Sequence, residues 1–205
     1  MNEPSSLWPH TGAILIGADY RYSGSAPQGK PMWDGKIMLE HVLRPLLSVC
    51  RSVVIVGDGG VPLPQDERIR QIEDPHPQRS LLSSLEVLLA STLDSGYLVA
   101  TCNQPFMTIP LLRQLIEAHP SVAHLFLVPR GTSFHPFPGY YPASLLEDVR
   151  QTLKSDCPSL RHLTRQCPPI WVPLSQMEEN HLLTVNPPAQ LERLQQLAGH
   201  NNISI

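Results

Sequence analysis

The chain has 205 residues, 41% of them hydrophobic, which suffices for one sizeable core and leads us to expect a single domain over 1–205 with loose ends at 1–9 and 199–205. A formal net charge of -3 removes the general basic field with which nucleic-acid binders gather phosphates, so nucleic acid is not an expected partner. The opening MNEPSSLWPHTG lacks the positive segment and long apolar run of a signal peptide, and no later run reaches the roughly 20 apolar residues that cross a bilayer, so the expected location is cytoplasmic, without a membrane partner.

Along the chain, short apolar runs at 13–16, 52–56, 97–101, 124–128 and 170–172 read as strands. Between them, 36–49 places Ile37, Leu39, Leu43, Leu46 and Leu47 at helical spacing, and 80–93 does the same with Leu81, Leu82, Leu85, Leu88 and Leu89. Segments 109–119 and 144–154 read as further amphipathic helices, the first with Pro110 in its opening turn, and 188–197 as a closing helix. Strands alternating with helices give an α/β class, a doubly wound and mostly parallel sheet with helices on both faces. The 22 prolines fall mainly at segment edges and punctuate the chain. The four cysteines have neither CxxC nor paired His/Cys spacing, so buried or incidental thiols are expected rather than zinc or disulfides.

In a doubly wound sheet, ligands lie beyond the carboxyl ends of the strands, so the segment after the first strand is the first place to look for phosphate chemistry. There Leu15 and Ile16 run into Gly17, which lets backbone N–H groups approach a polyphosphate, and Lys30 offers a point charge. Neither GxxxxGK[ST] nor GxGxxG is present, which disfavours a Walker ATPase and a dinucleotide dehydrogenase. An ordinary surface loop fits this segment as well.

The stretch LIGADYRYSGSAPQGK resembles LxGGxSxRMGxDK, with which the molybdenum cofactor guanylyltransferase family begins, a family of the sugar-nucleotide-transferase-like, Rossmann-like fold. Leu15, Gly17, Gly24 and Lys30 match in kind, whereas Ala18, Tyr20, Tyr22 and Ser23 depart from it, and Gly24 and Lys30 are three residues further apart. The likeness continues in order. GKIMLEHVLRPLL is similar to the family's next helix; IEDPHPQRSLLSS stands where an aspartate and GPLAG are expected, with Asp74 on the aspartate; TCNQPFMT is similar to "pCDmPflt"; HPFPGYY and LLTVN are similar to the later "HPlpGlY" and "NiNTP" segments.

This resemblance implies GMP transfer from GTP to molybdopterin, with Mg²⁺ bridging the phosphates and pyrophosphate leaving. Carried over, it places Leu15, Ile16 and Gly17 along the nucleotide, Lys30 at the phosphates as the catalytic cation, Asp74 at the nucleoside, and His135 and Asn186 on the substrate side. The aspartate that should hold Mg²⁺ is Asn103, which keeps a carbonyl ligand and loses the anion that a hard cation prefers. Two functions follow: an active nucleotidyltransferase, or a non-catalytic descendant that binds a nucleotide, the molybdopterin cofactor or a partner protein of molybdoenzyme maturation.

Overall fold

The computed structural model describes residues 7–17, 32–33, 36–57, 63–77, 80–118, 126–127, 135–175 and 179–185. In chain order the elements are β1 (Thr11–Leu15), β2 (Met32–Trp33), β3 (Lys36–Ile37), α1 (Met38–Val49), β4 (Val53–Val56), β5 (Ile69–Ile72), α2 (Leu81–Ala90), β6 (Gly96–Thr101), α3 (Ile109–Glu117), β7 (Phe126–Leu127), β8 (Gly139–Pro142), α4 (Leu146–Leu153), α5 (Leu160–Gln166) and β9 (Ile170–Trp171). Five strands form one sheet in the order β5-β4-β1-β6-β8, parallel except for β8, which runs antiparallel to β6.

The side-chain alternation of the central strands sorts the core into two layers. Ile14, Val53, Ile55, Leu98 and Ala100 face one side and pack on Leu39, Val42, Leu43 and Leu46 of α1 and Leu111, Leu112 and Leu115 of α3. Ala13, Leu15, Val54, Val56, Tyr97 and Val99 face the other, against Leu82, Leu85 and Leu88 of α2, Val149 of α4 and Leu163 of α5. Burial on both faces is why these strands have no polar alternation. Three helix starts, those of α2, α3 and α5, are capped by side chains: Ser80 Oγ accepts from Ser83 N, Thr108 Oγ1 from Leu111 N and Ser159 Oγ from His162 N.

Several sequence expectations change. Within the runs 124–128 and 170–172 the described strands are β7 and β9, which pair with each other in parallel in a separate two-stranded sheet. The main sheet instead gains β5, whose IRQI is a partly exposed edge with no apolar run, and β8, whose four buried residues GYYP follow Pro138 and end in Pro142. Residues 36–37 form β3 against β2, so the helix starts at Met38. Helix α5 is additional. The expected helix at 188–197 lies outside the described residues. No helix among the described residues is long and apolar enough to cross a membrane.

At the amino end of the sheet, Asp94 ties the strands together. Its Oδ2 accepts from Thr11 N and Thr11 Oγ1, both at 2.9 Å, and from Arg51 at 3.1 Å, while Oδ1 accepts from Ser95 N at 2.7 Å and meets His10 Nδ1 at 3.0 Å. Burial pushes this carboxyl up, but the bonds from His10, Thr11 and Ser95 and the His10 charge outweigh it and hold the group below its ordinary value. Burial and then the Asp94 charge push the neighbouring Cys50 thiol up to about 12.

Candidate functional site

The strand order creates the site. From β1 the chain moves outward to β4 and β5, then returns past β1 to β6, so the winding direction reverses between β1 and β6. At such a switch point the two connections diverge and leave a crevice at the carboxyl ends of the strands. The last paired residues form one row, Ile72, Val56, Leu15 and Thr101, across β5, β4, β1 and β6.

Leu15 and Ile16 reach this row with their side chains in opposite core layers, 0% and 4% exposed. Their main chain is largely engaged as well: Ile16 N donates to Val56 O at 3.0 Å and Leu15 O accepts from Cys102 N at 3.3 Å. These two residues therefore shape the crevice floor, and half-buried Gly17 is the first residue beyond the ladder. Beside it, Gly57 leaves β4 at a φ of +102°. A Cβ there would meet Ile16 O at 3.1 Å, so glycine is needed both for the backbone angle and for the close approach of the two strand ends.

Asp74 follows the end of β5 and is 2% exposed. Its Oδ1 accepts from His76 N at 3.0 Å and its Oδ2 from Ser84 Oγ at 2.7 Å. Ser84 is fully buried in the second turn of α2, so the carboxylate braces the β5 exit against that helix. His76 continues the brace outward to Glu86, 3.4 Å away, which also accepts from Arg150 Nε at 2.8 Å.

The turn after β6 is where most segments meet. Asn103 is half-buried and its Oδ1 accepts from Thr101 Oγ1 at 2.7 Å, while its backbone oxygen accepts from Val185 N at 2.8 Å. The latter bond brings the LLTVN segment to the strand end; Asn186 itself lies outside the described residues. Gln104, which sequence reasoning passed over, is 1% exposed. Its Oε1 accepts from Thr101 N at 3.0 Å and its Nε2 donates to Phe137 O at 2.8 Å, drawing in the HPFPG segment that carries half-buried His135. Thr108 Oγ1 adds a contact of 3.3 Å to His181 Nδ1. The turn thus gathers β1, the 135–138 segment and the 181–185 segment. Asp74 stands apart, three strand spacings from Asn103, or about 14 Å. Lys30 lies outside the described residues. Ser84, Thr101 and Gln104 lie inside the quoted motif segments, but the sequence offered them no role, because their partners are set only by the fold.

The expectation of Mg²⁺ rests on Asn103, a neutral amide whose Oδ1 already accepts a hydrogen bond. Among the described residues no group of three or more His, Cys, Asp or Glu converges as metal ligands, and the Asp74 oxygens face His76 and Ser84. A hard dication seeks anionic oxygen, so these described residues do not by themselves fit Mg²⁺.

Comparison with known proteins agrees with this architecture. The chain is 20% identical over 169 residues to the probable molybdenum cofactor guanylyltransferase of Flavobacterium johnsoniae, covering 82% of this chain and 87% of that protein. The molybdopterin-guanine dinucleotide biosynthesis protein A of Archaeoglobus fulgidus superposes with a TM-score of 0.70 at 17% identity, over 93% of this chain and 99% of that one. The 2-C-methyl-D-erythritol 4-phosphate cytidylyltransferase of Thermus thermophilus does so with a TM-score of 0.60 at 17% identity, over 91% and 98%. At these identities the superpositions establish the shared fold. The MobA-like NTP transferase domain matches residues 20–170, well over half of the sequence, and the chain therefore belongs to the MobA-like nucleotidyltransferase family.

Proposed function

We propose that this protein is a guanylyltransferase-like member of molybdenum cofactor biosynthesis, taking GTP along the carboxyl ends of β1 and β6 and a molybdopterin phosphate on the side of 135–138 and 185–186. The observation that carries this reading is the convergence at the 101–104 turn, where the β1 end, the HPFPG segment and the LLTVN segment are joined by hydrogen bonds from Cys102, Gln104 and Val185. In the assigned reaction a phosphate oxygen of molybdopterin attacks the α-phosphorus of GTP. The bond from that phosphorus to the β-bridging oxygen breaks, and pyrophosphate leaves with the electron pair. Lys30 would face the departing charge, Gly17 would let backbone approach the phosphates, and Asp74 would set the nucleoside end through α2. His135 and Asn186 would lie on the acceptor side.

Asn103 favours a second reading, a non-catalytic accessory or carrier that binds nucleotide, molybdopterin or a partner protein. The amide offers phosphates and metal a dipole where an anion would be expected. Calorimetric titration with GTP, CTP and molybdopterin, each with and without Mg²⁺, followed by a pyrophosphate-release assay, separates the two. Binding of GTP and molybdopterin with release supports transfer; binding without release supports the accessory role. Binding of neither small molecule overturns the guanylyltransferase reading.

A further inference from the structure

We propose that Gln104 is a positioning residue that locks the acceptor-side segment 135–138 to the nucleotide-side end of β6, so that occupancy of one side changes affinity on the other. This rests on the assignment of the two sides above. What singles out Gln104 is that both ends of one buried amide are used, on two different segments. The Thr101 N–H, at the last residue of β6, needs an acceptor, and the Phe137 carbonyl needs a donor; these fix the amide with Oε1 toward Thr101 at 3.0 Å and Nε2 toward Phe137 at 2.8 Å.

No other side chain of this length serves both. Glutamate keeps the acceptor and sets an oxygen against the Phe137 carbonyl, whereas methionine keeps the volume and neither bond. The segment on the far side is held as firmly: Tyr141 Oη, from a fully buried side chain of β8, donates to Pro136 O at 2.7 Å. Consecutive carbonyls of 136 and 137 are therefore fixed by two buried side chains, one from β8 and one from the turn beyond β6. On the near side, Asn103 hydrogen-bonds to Thr101 and to Val185, so the residues on which Gln104 pulls are the ones that bracket the crevice. A ligand that shifts or rigidifies Thr101 and Asn103 should be felt at His135, two residues from Phe137, because Thr101, Gln104 and Phe137, which carry the linkage, are all buried.

The experiment uses the full chain as wild type, Gln104→Met and Gln104→Glu. Calorimetry measures the affinity for GTP and for molybdopterin separately, then for each after saturation with the other, and amide hydrogen exchange is followed without ligand. For wild type, saturation with one ligand should change the affinity for the other about fivefold or more, the lower end of usual coupling between sites. Gln104→Met should bind each ligand alone within about threefold of wild type while the mutual effect falls below about twofold, a split that general loss of stability would not give. In the ligand-free protein Thr101 exchange should accelerate in Gln104→Met and stay slow in Gln104→Glu. Exchange at 139–141 should accelerate in both. Mutual effects retained in folded Gln104→Met, or absent in wild type that binds both ligands, overturn the proposal. If wild type binds neither ligand, the functional assignment fails, and Gln104 is then judged on exchange: faster exchange at both Thr101 and 139–141 upholds the mechanical link, and a change confined to Thr101 overturns it. Should Gln104→Met not fold, Gln104→Glu carries the same test through its lost bond to Phe137, with retained mutual effects overturning the link.

Discussion

Replacing Ser84 with alanine tests whether Asp74 is a brace or a ligand contact. The Ser84 hydroxyl donates to Asp74 Oδ2 at 2.7 Å between residues that are 0% and 2% exposed, so no water can take its place without rearrangement. A hydrogen bond to a charged group contributes about 2 kcal/mol net. Alanine recovers about 0.5 kcal/mol in helix propensity. The expected loss is therefore about 1.5 kcal/mol, which for a chain of this size lowers Tm by about 3–6 °C. Asp74→Asn should cost less, about 1 kcal/mol, because the Ser84 hydroxyl can turn and accept from the new amide while the other oxygen still accepts from His76 N. Circular-dichroism melts at pH 7 give both numbers, and GTP calorimetry on Asp74→Asn gives the functional half: a brace leaves affinity within about threefold, whereas a lost nucleoside contact costs tenfold or more, about 1.4 kcal/mol. Ser84→Ala within about 0.5 kcal/mol of wild type, the usual range for an inconsequential surface change, would refute the reasoning.

Asp94→Asn should destabilise by about 3 kcal/mol, because both carboxylate oxygens accept from backbone N–H groups, of Ser95 and Thr11, and the new NH₂ must face one of them. Since the folded-state pKa of Asp94 is lowered, its contribution is complete above the unfolded carboxylate value of about 4 and is lost as pH falls through the folded one; urea unfolding should show a gap between the proteins at pH 5 that narrows toward pH 2, and an unchanged gap at pH 2 would contradict this. Gly57→Ala places a side chain at φ +102° and 3.1 Å from Ile16 O, and melts should show a loss of about 2 kcal/mol. Asn103→Asp keeps the acceptor for Thr101 Oγ1 and adds the missing anion, so Mg²⁺ should tighten GTP binding about tenfold relative to wild type, about 1.4 kcal/mol; no gain in calorimetry would remove Asn103 from the phosphate end.

The parts of the fold legible in the sequence were those whose cause is local. β1, β4 and β6 are buried on both faces and therefore appear as unbroken apolar runs, and α1 and α2 have leucines at helical spacing. β5 is invisible because an edge strand tolerates Arg70 and Gln71, and β8 because its burial comes from packing against β6 rather than from a β-branched run. The same division applies to the candidate site. Gly17 and Asn103 could be placed from their strands, since a parallel sheet fixes where strands end. Gln104 could not, because Phe137 is 33 positions away and only the antiparallel return of β8 brings it close.

That division separates what holds the fold from what would meet a ligand. The stabilising burial lies in two layers on either side of β1, and Asn103 belongs to neither. A carboxylate at 103 could accept the Thr101 hydroxyl as the amide does, but would add a charge at a half-buried strand end, a cost that falls when a cation sits beside it. The amide keeps the bond at 2.7 Å without that requirement, so the turn that joins β1, Phe137 and Val185 is held in its geometry by the protein alone. On the proposed assignment of Asn103 to the phosphate end, recognition that depends on this geometry needs no charge at 103, whereas phosphate chemistry that depends on an anion there does. Restoring the anion should accordingly be felt first in the metal dependence of binding and only secondarily in the stability of the turn.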